Sequence, residues 1–192
     1  MIGSRICHDL ISPIGAIMNG VEMAQLSGAA SSQEMDLIGD SAASASARIR
    51  FFRLAYGMSG SDHAIAAPEI IDILSAMSRN GRISYDWQLR DDVSRGEARL
   101  ALLAMQCLET VLPRGGRITV SRGHDGAWHM QAEGPEARVA ADLADMLRDG
   151  PDAAGLCAAN VQFAMLAGLL RGTGREPVLG GVATGGAVTL RL

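Results

Sequence analysis

The sequence predicts an α+β protein in two parts. An N-terminal antiparallel helical hairpin pairs with a second copy into a dimeric four-helix bundle, and a two-layer α/β domain follows. Three observations carry this expectation. Residues 4–56 hold two long helical patterns without a strand signal, joined by a short turn. From Pro68 onward, amphipathic helices are interspersed with short, mostly hairpin-linked strands. Of the 192 residues 48% are apolar but only 4% aromatic, so the core is built from Leu, Ile, Val, Met and Ala, which suits close helix packing. The boundaries that follow are a hairpin over 1–57, a linker over 58–67 and a second domain over 68–192.

The first helix is expected from Ser4 to Leu26, carrying an apolar stripe of Ile6, Leu10, Pro13 or Ile14, Ile17, Val21 and Ala24. The run Ser27–Ser32 (S-G-A-A-S-S) is a turn by composition, with Ser32 as N-cap of a second helix over Gln33–Tyr56. On that helix Ile38, Ala42, Ala45, Ile49, Phe52 and Tyr56 recur at spacings of 4, 3, 4, 3 and 4, the signature of a coiled-coil seam. One hairpin buries only part of this surface, and a homodimer covers the rest.

Beyond the linker, Pro68–Asn80 reads as an amphipathic helix with Pro near its start and Asn-Gly behind it. Arg82–Leu89 alternates as a strand, Glu97–Leu112 is helical, and Pro113–Gly116 (P-R-G-G) turns into a strand over Arg117–Arg122. Gly123–Gly126 is a hairpin turn leading into a strand over Ala127–Ala132. Arg138–Arg148 and Asn160–Arg171 are helices, and strands over Glu176–Ala183 and Ala187–Leu192 join around T-G-G.

Composition excludes several classes. Seventeen basic residues, all arginine, face 21 acidic ones for a net charge of −4, so nothing draws the chain toward nucleic acid. No apolar run is long enough to span a bilayer, and without a leader pattern a cytoplasmic location is expected. Cys7, Cys107 and Cys157 form neither a disulfide framework nor a C-x-x-C pair, and their apolar surroundings read as small buried hydrophobes. His124 and His129 share one hairpin at an odd spacing, and no cysteine or carboxylate cluster completes a metal site with them. No intrinsic metal or cofactor is expected.

The chemistry concentrates on the first helix. At about 100° per residue, its apolar stripe centres on Leu10 and Ile17, and His8 falls nearly opposite. Arg5, Ser12, Gly15 and Asn19 surround His8 on that outer face, and Asp9 follows it directly. A lone exposed histidine is usually an ordinary surface residue. Pro13 shifts the balance, because a proline inside a helix costs about 3 kcal/mol and distorts the helix locally. A purely structural hairpin has no reason to carry it.

H-D-L-I-S-P at His8–Pro13 resembles the phospho-acceptor box of sensor histidine kinases, matching at His8, Leu10 and Pro13. Extended to S-R-I-C-H-D-L-I-S-P-I-G-A-I-M-N-G and joined to R-I-R-F-F-R-L-A-Y-G at Arg48–Gly57, the chain is similar to the dimeric histidine phosphotransferases of bacterial phosphorelays (the ChpT type). The resemblance implies that the hairpin displays the histidine. It also implies that the second domain looks like a histidine-kinase ATP-binding domain without nucleotide binding. The residues agree with that last point. Where kinases carry a Mg²⁺-holding asparagine and an upstream glutamate, counting back from Pro113 gives Cys107 and Leu103. The adenine-binding aspartate aligns with Ala132 and the last glycine of its motif with Glu136. Magnesium needs hard oxygen ligands and adenine an acceptor for its amine, and these positions offer neither.

The expected activity is phosphate transfer by His8, which takes the group from a receiver aspartate of a hybrid histidine kinase and passes it to the receiver of a response regulator. An imidazole titrating at about 6.5 keeps a free lone pair at neutral pH. Asp9 orients or assists the ring, the partner receiver supplies Mg²⁺, and Arg5, Ile11, Ser12, Gly15, Met18 and Asn19 contact the receiver. Ile11 and Met18 are apolar docking candidates that equally suit the bundle edge. The alternatives are a non-catalytic dimeric adaptor of receivers or kinases and, behind it, an ATP-dependent histidine kinase.

Overall fold

The computed structural model describes residues 2–27, 32–57, 63–79, 81–181 and 186–192, and within the two long helices it leaves out the side chains of residues 3–5, 7, 8, 11, 25, 27 and 32–34. Residues 28–31 of the expected interhelical turn, 58–62 of the linker and 182–185 of the last connection lie outside the described residues, as does the capping side chain of Ser32.

Two long helices, α1 (Ile2–Ser27) and α2 (Ser32–Tyr56), pack against each other. α1 runs without interruption past Pro13, which is buried. The phase of α2 differs from expectation. Ser41, Ser44, Ala47 and Phe51 are buried, whereas Ala42 and Ile49 of the expected seam are exposed. The buried face is therefore rotated by about one residue, roughly 100°. Serine and alanine let two backbones approach closely, so the small-residue face takes the intramolecular contact. Phe52 and Tyr56 of the expected seam are buried, while several bulky side chains stay uncovered: Met35, Leu37 and Ile49 of α2 are 53%, 47% and 49% exposed, and Ile14, Met18 and Val21 of α1 47%, 66% and 42%.

The C-terminal part is a two-layer α/β unit. A small sheet pairs β1 (Ala64–Ile65) antiparallel with β3 (Val93–Ser94). The main sheet holds β2 (Ile83–Trp87), β4 (Gly116–Arg122), β5 (Trp128–Glu133), β6 (Val178–Gly181) and β7 (Ala187–Arg191), in the order β2-β4-β5-β7-β6. β2 and β4 are parallel in register Ile83↔Gly116, and the other pairs are antiparallel. The remaining helices are α3 (Ala67–Arg79), α4 (Arg95–Glu109), α5 (Leu143–Asp149) and α6 (Val161–Thr173). α4 forms the crossover between the parallel strands. Strict alternation on β5 puts Trp128, Met130 and Ala132 into the core and leaves His129, Gln131 and Glu133 exposed. The sheet therefore has one face under helices and one face open.

α4 is the spine of the core: Ala98 and every residue from Leu100 to Leu108 are buried. Ser94 caps it by accepting the Glu97 N–H at 3.3 Å. At the P-R-G-G turn, Gly115 and Gly116 adopt φ of 85° and 152°, and a Cβ on Gly115 would strike the Arg82 carbonyl. The helix expected over Arg138–Arg148 shortens to Leu143–Asp149, because the Arg138 N–H is taken by the Val111 carbonyl at 3.0 Å and the chain there is extended along the core. Cys107 is buried as expected, but Cys157 is exposed in the loop before α6. Its N–H is captured by Asn160 Oδ1 at 2.8 Å, which turns the loop at the surface. The side chain of Cys7 lies outside the description.

The hairpin is locked to this unit at the base of α2. Phe51, Phe52, Leu54, Ala55 and Tyr56 belong to the common core, with Ile6 of α1 packed against it. Tyr56 Oη donates to buried Gln106 Oε1 at 2.6 Å, Arg99 Nε donates to the Ala55 carbonyl at 3.3 Å, and Arg50 pairs with Asp72 at 2.8 Å.

Candidate functional site

The H-D-L-I-S-P box occupies the second and third turns of α1, near the end of the hairpin that meets the C-terminal unit. The side chains of Arg5, His8 and Ile11 lie outside the description, while their backbone is helical. Asp9 is half-buried, Ser12 and Asn19 are exposed, Met18 is 66% exposed and Gly15 is half-buried. A Cβ placed on Gly15 meets nothing within 4 Å, so that face is open to an approaching molecule.

Beside the box, α1 and α2 enclose a groove of about 320 Å³ lined by Ser12, Pro13 and Ala16 from α1 and by Leu37, Ser41, Ser44 and Arg48 from α2. Pro13 is a buried wall of this groove. The serines beside it, Ser12, Ser41 and Ser44, give the groove small polar surface. Ser12 is the expected receiver-contact residue that reaches the groove. Gly15, Met18 and Asn19 are outside its lining.

The C-terminal unit approaches the box from one side. Tyr85 on β2 donates its hydroxyl to Glu109 Oε1 of α4 at 2.8 Å. Burial, the Glu109 charge and that hydrogen bond hold the Tyr85 phenol well above its ordinary range. Arg48 lowers it in part and Asp9 raises it further, so the charges of α1, α2, β2 and α4 act on one another here. Sequence reasoning names Asp9 and misses Arg48, Tyr85 and Glu109. Arg48 opens the R-I-R-F-F-R-L-A-Y-G stretch, but its place in the groove depends on the phase of α2.

The positions compared with a nucleotide site are mostly core. Leu103, Cys107 and Ala132 have no exposed surface, and Glu136 is a surface residue paired with Arg114 at 3.0 Å. Among the described residues no three His, Cys, Asp or Glu side chains gather as a metal site requires. No helix of the described residues is long and apolar enough to cross a membrane.

A family model described as the histidine phosphotransferase C-terminal domain matches residues 67–177, from the start of α3 to the approach to β6. The chain belongs to that family. It is 36% identical over 122 residues to the protein phosphotransferase ChpT of Brucella abortus (strain 2308), a match covering 62% of this chain and 58% of that relative. The chain thus spans somewhat over half the length of this curated relative. A solved structure of a bacterial phosphotransferase is similar over 99% of this chain and 92% of its own, with a TM-score of 0.78 at 28% identity. That likeness takes in the helical hairpin as well as the C-terminal unit.

Proposed function

We propose that this member of the histidine phosphotransferase family is a phosphorelay intermediate in which His8 is the phosphate carrier. The carrying observation is the conjunction of the His8–Pro13 box on α1 with a C-terminal unit of that family. In the first step the neutral imidazole attacks the phosphorus of a receiver's aspartyl phosphate. An N–P bond forms, the acyl P–O bond breaks, and the receiver carboxylate leaves with the electron pair. The ring retains its other N–H and becomes cationic, and Asp9, one residue on, counters that charge. In the second step a carboxylate of another receiver attacks the phosphorus and the neutral imidazole leaves. Such transfer asks for in-line positioning and charge neutralisation. The receiver's own acidic pocket holds the Mg²⁺ that neutralises the phosphate, and this chain supplies the nucleophile and its surroundings.

On this reading the donor is the receiver of a hybrid kinase and the acceptor that of a response regulator. Arg5, Ile11, Ser12, Gly15, Met18 and Asn19 form the contact surface, and the open space at Gly15 supports close approach. The chain works as a homodimer with its hairpins in a four-helix bundle. The uncovered stripe of Ile14, Val21, Met35 and Ile49 supports this, since those side chains lie away from the groove. Nucleotide is not used, because core carbon at Leu103, Cys107 and Ala132 leaves neither an oxygen for Mg²⁺ nor an acceptor for adenine.

The test uses the purified protein and His8→Ala, each given radiolabelled ATP alone or a panel of phosphorylated receivers. Acid-labile label arising only from a receiver, and absent in His8→Ala, is expected. Label from ATP alone would refute the loss of nucleotide chemistry. No label from any receiver would favour an adaptor.

A further inference from the structure

Among the described residues, Arg48 is the arginine with a buried side-chain nitrogen that finds no hydrogen-bond partner. Arg50, Arg114, Arg122, Arg148, Arg175 and Arg191 each pair with a carboxylate. Among the described residues no carboxylate pairs with Arg48, and its Nε is buried with no hydrogen-bond partner. A buried unpaired donor is a cost that folded proteins rarely retain without a use. The groove around it holds no other charged side chain: Ser12, Ser41 and Ser44 are polar, and Pro13, Ala16 and Leu37 are apolar.

Position explains what the guanidinium is for. Ser12, on the α1 side of the groove, follows His8 by four residues, one turn and about 6 Å along the helix axis. An anion brought to the helix face at position 8 therefore arrives at the mouth of the groove that Arg48 lines from α2. A guanidinium presents a planar fork of N–H donors that matches two oxygens of a phosphoryl group, and it stays charged at every working pH. Of the uncovered apolar side chains the groove takes in Leu37 but not Ile14, Val21, Met35 or Ile49, so dimer formation through those four leaves Arg48 facing an incoming receiver.

We propose that Arg48 binds the non-bridging oxygens of the phosphoryl group during its transfer to and from His8. The proposal rests on the reading of His8 as acceptor. The bond changes are those already given; Arg48 donates hydrogen bonds to the transferring group throughout and exchanges no proton. It compensates the charge that spreads over those oxygens as the phosphoryl group passes between the receiver and His8.

The experiment measures transfer from a phosphorylated receiver to the full chain, with receiver concentration varied to separate kcat from KM, for wild type, Arg48→Gln and Arg48→Lys. Losing one charged donor at a transferring group typically costs about 100-fold in rate, so Arg48→Gln should lower kcat about 100-fold and change KM less than about threefold. Arg48→Lys keeps the charge without the fork and should recover about tenfold of that loss. Thermal melting should not fall in either variant, since no hydrogen bond or ion pair within the fold is removed and a buried unpaired donor is relieved. A wild-type kcat in Arg48→Gln, an effect confined to KM, or equal losses in Gln and Lys variants would overturn the proposal. Should Arg48→Gln fail to fold, the kcat of Arg48→Lys decides: it falls about tenfold below wild type if the fork matters, and is unchanged if it does not. Absence of label on wild-type His8 would instead overturn the underlying phosphotransfer reading, which sets the two failures apart.

Discussion

Glu97 ties α4 to β4, β5 and the segment after α6, and replacing it with glutamine should destabilise the protein in a pH-dependent way. Its carboxylate accepts from Trp128 Nε1 at 2.9 Å and pairs with Arg122 at 3.1 Å and Arg175 at 2.9 Å, with its side chain 21% exposed. Arg122 in turn lies 5.3 Å over the Trp128 ring. An amide offers one acceptor where these donors use two oxygens, so one N–H of Arg175 would face the new NH₂. Turning the Trp128 contact from charged to neutral loses about 1 kcal/mol. The two part-exposed pairs add about 0.5–1 kcal/mol each after solvent screening, giving about 2–3 kcal/mol in total. Burial raises the Glu97 pKa, but hydrogen bonds from Arg175 and Trp128 and the charges of Arg175 and Arg122 outweigh it, leaving the pKa below its usual 4.5. A carboxyl with a lower pKa in the folded state contributes its stability fully above the unfolded value, and loses it as pH falls through the folded one. Urea denaturation followed by tryptophan fluorescence should therefore show a gap of about 2–3 kcal/mol between wild type and Glu97→Gln at pH 7. The gap should persist at pH 5.5 and narrow below about pH 4. A gap under about 0.5 kcal/mol at pH 7, or one that widens in acid, would refute the assignment of Glu97 as a charged hub.

Two other changes probe the hairpin. Tyr56→Phe removes the donor from buried Gln106 Oε1 and should cost about 1–3 kcal/mol in the same denaturation assay, with the apolar ring still filling its place. Ile14→Arg combined with Ile49→Arg places charge on the uncovered stripe while leaving the intramolecular face intact. Sedimentation equilibrium should find the wild type dimeric and this variant monomeric at micromolar concentration, with unchanged helix content by circular dichroism.

Much of the fold is legible because each long element carries its own period. The 26 residues of α1 and 25 of α2 fall within one residue or two of their expected limits, and the order of helices and strands from Pro68 onward holds. What escapes is information that no single segment contains. On α2 the rows Ser41-Ser44-Ala47-Phe51 and Ala42-Ala45-Ile49-Phe52 are both small or apolar at helical spacing. Which row meets α1 depends on how closely α1 approaches, and the row of serines wins. The two-residue strands Ala64–Ile65 and Val93–Ser94 are too short to alternate, and their pairing is a contact across the whole of α3 and β2. The His8–Pro13 box is legible as a local motif. The groove beside it is not, because Arg48 and Ser12 stand 36 positions apart and meet only when the hairpin closes with α2 in its observed phase.

The way α2 ends bears on the part played by the C-terminal unit. Phe51 and Ala55 have no exposed surface, and Tyr56 is tied to Gln106, one residue from buried Cys107. Leu103 and Cys107 of α4 pack as core, and Gln106 beside them holds the hairpin. A fragment ending at Gly57 would bare Phe51, Phe52, Leu54, Ala55 and Tyr56 to water. At about 25 cal/mol per Å² of apolar surface, so many exposed side chains would cost a short hairpin most of its stability. Loss of transfer in such a fragment would then report a collapsed hairpin, whatever the C-terminal unit does for receivers. Substitution of Arg99, whose guanidinium holds the Ala55 carbonyl from α4, loosens the same junction without baring its core. A fall in transfer in that variant with the melting temperature held would mean that the C-terminal unit acts by fixing the angle at which α2 presents the groove.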